Sequence, residues 1–133
     1  MKTILRRLLL ILTTMGVTLF SIEQVNAQQG HRITRIAKIQ VDPAQLESFN
    51  AALKEQMATA VKLEPGVLTY YAVADKGNPS DITILEIYAD TAAYQSHIQT
   101  THFKKYKATV QNMVKSLELI DVNLISVAKK PGM

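Results

Sequence analysis

The 133-residue chain contains no cysteine and no tryptophan. Without thiols it has no disulfide, no thiolate nucleophile and no cysteine-held zinc or iron–sulfur centre, so packing alone must hold it together. Glycine is sparse too: the five residues at 16, 30, 66, 77 and 132 are too scattered to build a loop that cradles a phosphate. A flavin or nicotinamide nucleotide is therefore not expected, and the sequence assigns no cofactor. Internal repeats, low-complexity runs and a second domain are also missing.

Half of the net charge of +4 sits at the front. Lys2, Arg6 and Arg7 precede an apolar run from Leu8 to Phe20, and Val25-Asn26-Ala27 offers the small residues a signal peptidase reads. Residues 1–27 are accordingly expected to be a signal peptide. The run is interrupted by Thr13, Thr14 and Gly16 and falls short of the roughly 20 residues that span a bilayer. Cleavage before Gln28, export to the periplasm or beyond, and no membrane attachment afterwards are the expectation. Losing Lys2, Arg6, Arg7 and Glu23 lowers the formal charge from +4 by two. The high pI thus gives no argument for a nucleic-acid partner.

The remainder, one domain over 31–128 with a flexible tail at 129–133, patterns as β-α-β-β-α-β. His31 to Val41 reads as a strand with Arg35 among its apolar positions. Asp42-Pro43 caps and opens a helix whose apolar stripe is Leu46, Phe49, Leu53, Met57 and Val61. Glu64-Pro65-Gly66 ends that helix and starts a strand from Val67 to Ala74. Asp75 to Asp81 is a loop and a candidate pocket edge. Ile82 to Tyr88 is the third strand. Asp90 caps a helix carrying Tyr94, His97 and Thr101 on one side. A second helical stretch begins near Thr101, with Phe103, Tyr106, Val110, Met113, Val114 and Leu117 as its stripe. A last strand is expected over about 117–129.

This order predicts an α+β, ferredoxin-like fold: an antiparallel sheet with helices on one face. Three strands carry apolar side chains on both parities, so the other face needs a cover, most simply a second copy packed sheet against sheet. A homodimer is expected.

Chemistry concentrates between Asp81 and Lys107. His97 titrates near neutral pH and stands beside Tyr94, making it the candidate base, with a structural histidine bonded to a carbonyl as the alternative. Glu86 is a carboxylate in an apolar strand and needs a partner or a raised pKa; Arg35, on the neighbouring first strand, is the candidate. Tyr70, Tyr88 and Tyr94, with Tyr71, could line an aromatic pocket or serve as core tyrosines. His102 falls at the rim. Lys104, Lys105 and Lys107 read as a solvated helix face. His97 and His102, five residues apart, point off a common helix face, so no metal site is expected.

The order Glu86-x-Tyr88-x-Asp90-x3-Tyr94-x2-His97-x4-His102-Phe103, preceded by Glu64-Pro-Gly-Val-Leu-x-Tyr70, resembles the antibiotic biosynthesis monooxygenase family, in particular its quinol-monooxygenase-like branch. The resemblance covers about residues 31–128. It implies a dimeric α/β barrel and oxygenation, without a cofactor, of a quinol or hydroxylated aromatic by O₂. His97 would be the base, with Tyr70, Glu86, Tyr88, Tyr94, His102 and Arg35 around the substrate. Haem-degrading relatives of that superfamily use a tryptophan and a histidine ligand where this chain has His97 and Lys107, so haem degradation is not expected. Two further readings stay open: an isomerase, which export disfavours, and an exported dimer that binds a small apolar molecule without turnover.

Overall fold

The computed structural model describes residues 32–132. The expected leader and His31 lie outside them. Strand β1 (Ile33–Val41) leads through a short 3₁₀ turn (Pro43–Gln45) into helix α1 (Leu46–Leu63). Asp42 starts that turn by accepting from the Ala44 N–H at 3.0 Å, and Pro43 occupies its first position, where no N–H is needed. The helix stops at Glu64, whose extended backbone (φ −108, ψ 106) is the conformation that a following proline imposes. Strands β2 (Val67–Ala74) and β3 (Asp81–Tyr88) follow, then helices α2 (Thr91–His97) and α3 (Thr101–Val110), and strand β4 (Val114–Val122). The expected βαββαβ order is present, with the second helical region split in two.

The split has a local cause. Thr100 accepts from the Phe103 N–H and donates to the His97 carbonyl at 2.7 Å, so one side chain closes α2 and opens α3. Its capping makes His97 the last residue of the first helix and places His102 in the first turn of the next. Thr101 therefore does not continue the Tyr94–His97 face.

All strand pairs are antiparallel, in the order β2-β3-β1-β4. Residues directly opposite share a face. Arg35 faces Glu86 and Asp121, and Glu86 faces Tyr70, so one polar row crosses the sheet with one residue from each strand. Below that row Ala37, Ile39, Val41, Ile82 and Ile84 join Phe49 and Leu53 of α1 and Val110 of α3 in the main core. The α1 stripe is rotated from the expected one. Phe49, Leu53, Gln56 and Ala60 are its buried residues, whereas Val61 is 49% exposed. Spacings of four, three and four follow the 3.6-residue turn, whereas the three successive steps of four from Phe49 to Val61 in the expected stripe drift off the face.

Two other boundaries move. Strand β4 begins at Val114 and ends at Val122, because Val114 and Leu117 belong to the sheet and not to the preceding helix. After it the described residues form no helix or strand, yet Lys129 reaches the Tyr71 ring, 5.5 Å from its centroid, on the strand at the opposite edge of the sheet. The 75–81 loop is tied to itself: Asp75 accepts from the N–H groups of Gly77 and Asn78 at 2.7 and 2.8 Å, and Asn78 donates to Asp81.

Gly66 fixes the approach of α2. A Cβ built there would overlap the Cβ of Ala93 and crowd its backbone. Gly66→Ala is expected to push α2 off the sheet and destabilise the domain by about 1–3 kcal/mol, read as a lower urea midpoint; an unchanged midpoint would contradict this packing. No described helix is long and apolar enough to cross a membrane.

Candidate active site

Between the polar row of the sheet and helices α1, α2 and α3 lies a cavity of about 320 Å³. Its floor is the sheet; Leu53 and Met57 line it from α1, and Phe103, Tyr106 and Val110 from α3. Leu117 and Leu119 of β4 line it while remaining 44% and 50% exposed, which marks its open side. Such a volume and mostly apolar lining suit one small ring.

At the α2 end of this cavity the polar residues form one continuous hydrogen-bonded run. The Tyr88 hydroxyl and the Glu86 carboxyl are hydrogen-bonded at 2.9 Å. The Tyr88 and Tyr70 hydroxyls are 2.8 Å apart, and Tyr70 is 2.9 Å from His97 Nε2. On the other side of the ring, His97 Nδ1 lies 2.9 and 3.1 Å from the two Glu64 oxygens. His102 Nε2 closes the run on Glu64 at 2.5 Å. Six residues from β2, β3, the turn after α1, the end of α2 and the start of α3 are thus linked in order Glu86, Tyr88, Tyr70, His97, Glu64, His102.

Burial sets the electrostatics. The Glu86 carboxyl is pushed above its ordinary value of 4.5 by burial, which outweighs the Tyr88 hydrogen bond and the Arg35 charge. His97 is 1% exposed, and burial pulls it below its ordinary 6.5 although Glu64 works the other way. Burial also raises the phenols of Tyr70 and Tyr88, and Tyr106 to about 12. All three remain protonated and able to donate near neutral pH.

These shifts fix a pH dependence of stability. The folded state holds a proton on Glu86 more tightly than the unfolded one, so this contribution is full below pH 4.5 and is lost as pH rises through the raised folded value. His97 acts in the opposite sense: its contribution is present above pH 6.5 and fades as pH falls toward the lowered folded value. Unfolding free energy measured by urea at pH 4 to 8 is expected to lose the acid-side decline in His97→Gln and the alkaline-side decline in Glu86→Gln; superimposable wild-type and variant profiles would contradict the assignment.

Arg35 departs from the expected partner. It sits opposite Glu86 in the sheet, but its Nε donates to Asp121 at 2.7 Å, and its guanidinium lies 4.3 Å from the Tyr94 ring centroid. The hydrogen bond to Asp121 is also the main cause that raises its pKa. Glu86 therefore feels Arg35 only as a nearby charge. Tyr94 packs edge-on against Tyr88 with centroids 5.3 Å apart and lines the cavity. Tyr71, on the opposite sheet face, does not.

His102 lies outside the cavity lining, in a smaller neighbouring groove with Lys105 and Thr109. Lys105 bonds Glu55 at the surface, whereas Lys107 joins the cavity lining. The 75–81 loop is not a cavity edge.

The argument that His97 and His102 diverge on one helix is corrected by the break at Thr100. Donor atoms of Glu64, His97 and His102 all lie within 4.8 Å of one another. Ligands at 2.0–2.1 Å from a tetrahedral ion stand about 3.3 Å apart, so an ion here would require Glu64 to retreat from both imidazoles, which it now bonds at shorter range.

Two residues escaped the sequence reading. Glu64 read as a helix terminator, and nothing local ties it to a histidine 33 positions on. Gln56 carried a signal: it stands seven residues after Phe49 and three after Leu53, a polar side chain at a core position. It is 6% exposed, borders the cavity, and neither amide atom has a hydrogen-bond partner. An unpaired buried amide costs about 1–3 kcal/mol. Gln56→Leu is expected to stabilise the ligand-free protein by about 1 kcal/mol, raising Tm by about 4–8 °C; a lower Tm would show that the amide is satisfied in solution.

A helix-covered antiparallel sheet with an aromatic-lined cavity ending in a carboxylate–tyrosine–histidine run defines an α+β, ferredoxin-like domain. Residues 32–109 match the antibiotic biosynthesis monooxygenase family model. The chain belongs to this family. A Bacteroides thetaiotaomicron protein assigned to the antibiotic biosynthesis monooxygenases is similar at 51% identity, over 77% of this chain and 97% of its own, with a TM-score of 0.73. A Lactobacillus acidophilus protein assigned as a monooxygenase shares 32% identity over 67% of this chain and 42% of its own, TM-score 0.66. A Caulobacter crescentus protein of the family, at 23% identity, covers 78% of this chain and 99% of its own, TM-score 0.68, and supports the fold alone. No curated protein matches. Family and neighbours together indicate monooxygenase-type function.

Proposed function

We propose that this protein is a cofactor-independent monooxygenase that oxidises a quinol or similarly hydroxylated aromatic with O₂. The observation that carries this reading is the cavity itself: apolar walls for a ring and for O₂, with one end closed by the run from Glu86 to His97. Removing a proton from a ring hydroxyl makes an anion electron-rich enough to reduce O₂. The substrate supplies all four electrons, so that one oxygen atom enters the product and the other leaves as water. Tyrosine hydroxyls at the same end are placed to stabilise the developing oxyanion.

His97, the base expected from the sequence, has both ring nitrogens engaged and would meet a substrate proton only through its tyrosine neighbours. That engagement also favours the second reading, a binding protein that holds an aromatic ligand without turnover. Export after loss of the leader, and a second copy covering the outer sheet face, belong to the same proposal. The outer face supports the latter with Tyr71 at 50% and Val73 at 63% exposure. The experiment is O₂ uptake by the purified, metal-free chain against a panel of quinols and hydroxynaphthalenes. Substrate-dependent uptake is expected; binding of panel members with no uptake would favour the binding protein.

A further inference from the structure

The run from Glu86 to Glu64 can be counted in protons. Four contacts join the two carboxylates: Glu86 to Tyr88, Tyr88 to Tyr70, Tyr70 to His97 Nε2, and His97 Nδ1 to Glu64. Each contact needs one proton between its two heavy atoms. Two phenols and a neutral imidazole bring three. A fourth is required, and with Glu64 as the acceptor of the His97 Nδ1–H the run offers it two homes. If Tyr88 donates to an ionised Glu86, then Tyr70 donates to Tyr88, His97 Nε2–H donates to Tyr70, and His97 must carry a second proton on Nδ1. With the polarity reversed, a Glu86 carboxylic acid donates to Tyr88, Tyr88 to Tyr70 and Tyr70 to His97 Nε2, leaving a neutral His97 with its proton on Nδ1 toward Glu64. The two states differ only by a shift of one proton along each of three contacts.

We propose that Glu86 is the group that receives the substrate's hydroxyl proton, and that it is made ready by passing its own proton through Tyr88 and Tyr70 to His97, where Glu64 holds the imidazolium. This rests on the monooxygenase reading above. The bookkeeping is closed: the Glu86 O–H breaks as a new O–H forms on Tyr88, each phenol gives one proton as it takes one, and a new N–H forms on His97 Nε2. Glu86, now a carboxylate, then takes the proton of the ring hydroxyl, leaving the substrate anion in the cavity. No electron moves in these steps. Glu86 is the catalytic residue; Tyr88, Tyr70, His97 and Glu64 are positioning residues that act through it. Burial at both ends favours the form with Glu86 protonated and His97 neutral in the free protein. His97 can serve as a store because it faces the Glu64 carboxylate, which favours the imidazolium against the pull of burial.

Groups that face Glu86 are Tyr88 on its own strand, Tyr70 on β2, Arg35 on β1 and Tyr106 on α3; those that face His97 are Tyr70, Tyr88, Glu64 and His102. The test begins without substrate. Infrared difference spectra at neutral pH, wild type against Glu86→Gln, are expected to show one buried carboxylic-acid C=O band, and nitrogen NMR a neutral His97 protonated on Nδ1. Tyr70→Phe keeps the ring and removes the link. It is expected to shift the titration of the Glu86 band by about one pH unit or more, and His97→Gln, as a second variant, to do the same. An ionised Glu86 beside a neutral His97 in the free protein, or a Glu86 band that titrates identically in wild type and both variants, would overturn the relay. Failure of the monooxygenase reading is distinct: the spectra would follow the relay while no panel member consumed O₂.

Discussion

Glu64→Ala is expected to destabilise the domain by about 2–5 kcal/mol, a large share of the roughly 5–15 kcal/mol that holds an ordinary domain folded. Glu64 lies between two imidazoles, at 2.9 Å from His97 Nδ1 and 2.5 Å from His102 Nε2, with its side chain only 12% exposed. Its loss leaves the buried His97 N–H without an acceptor and His102 without its partner. It also unties three segments at once, because the turn after α1, the end of α2 and the start of α3 meet on this one carboxylate. Glu64→Gln keeps one acceptor oxygen and is expected to cost less, about 1–2 kcal/mol. Urea unfolding of both variants checks the order. A loss below about 1 kcal/mol in the alanine variant would mean that water replaces the carboxylate and that the run is not a structural clamp.

Glu86→Gln is expected to act on turnover and not on folding. On the proposed mechanism it removes the proton acceptor that meets the substrate, which should lower kcat by about 10²–10⁴-fold while leaving KM within a few-fold. The amide is nearly the same size, and one consequence of burial is that a neutral group there is tolerated, since the carboxyl itself is driven toward its neutral form. A stable variant with unchanged O₂ uptake would contradict the role of Glu86; a variant that unfolds would contradict its electrostatics. His97→Gln separates the two ends of the run. It removes the store but not the acceptor, so a smaller loss with a displaced pH profile is expected.

The elements were legible in the sequence because each is marked by local chemistry. Asp42-Pro43, Asp90 and the Glu64-Pro65-Gly66 stop lie where caps and breaks belong, and the hydrophobic periods of two and 3.6 placed strands and helices between them. The break between His97 and the second helical pattern rests on Thr100, whose side chain closes one helix and opens the next. Side-chain partners were less legible. Arg35 and Glu86 do face each other across the sheet, but the fourth strand brings Asp121 to the same row, and pairwise reasoning about two strands could not weigh a third partner. The Glu64 contact joins residues 33 and 38 positions apart through two turns, a geometry that no spacing rule encodes. Gln56 was the exception, a polar residue in a core stripe that the rotated helix face brings to the cavity wall.

The role of the cavity is tested most directly by single-turnover oxidation under ¹⁸O₂ of whichever quinol or hydroxynaphthalene supports uptake. One labelled oxygen atom in the product and one in water, lost together in Glu86→Gln, is the result expected of a monooxygenase whose substrate supplies the electrons. Tight binding of the same compounds with no label transferred, and no O₂ consumed, would contradict it and leave a protein that holds an aromatic ring without oxidising it.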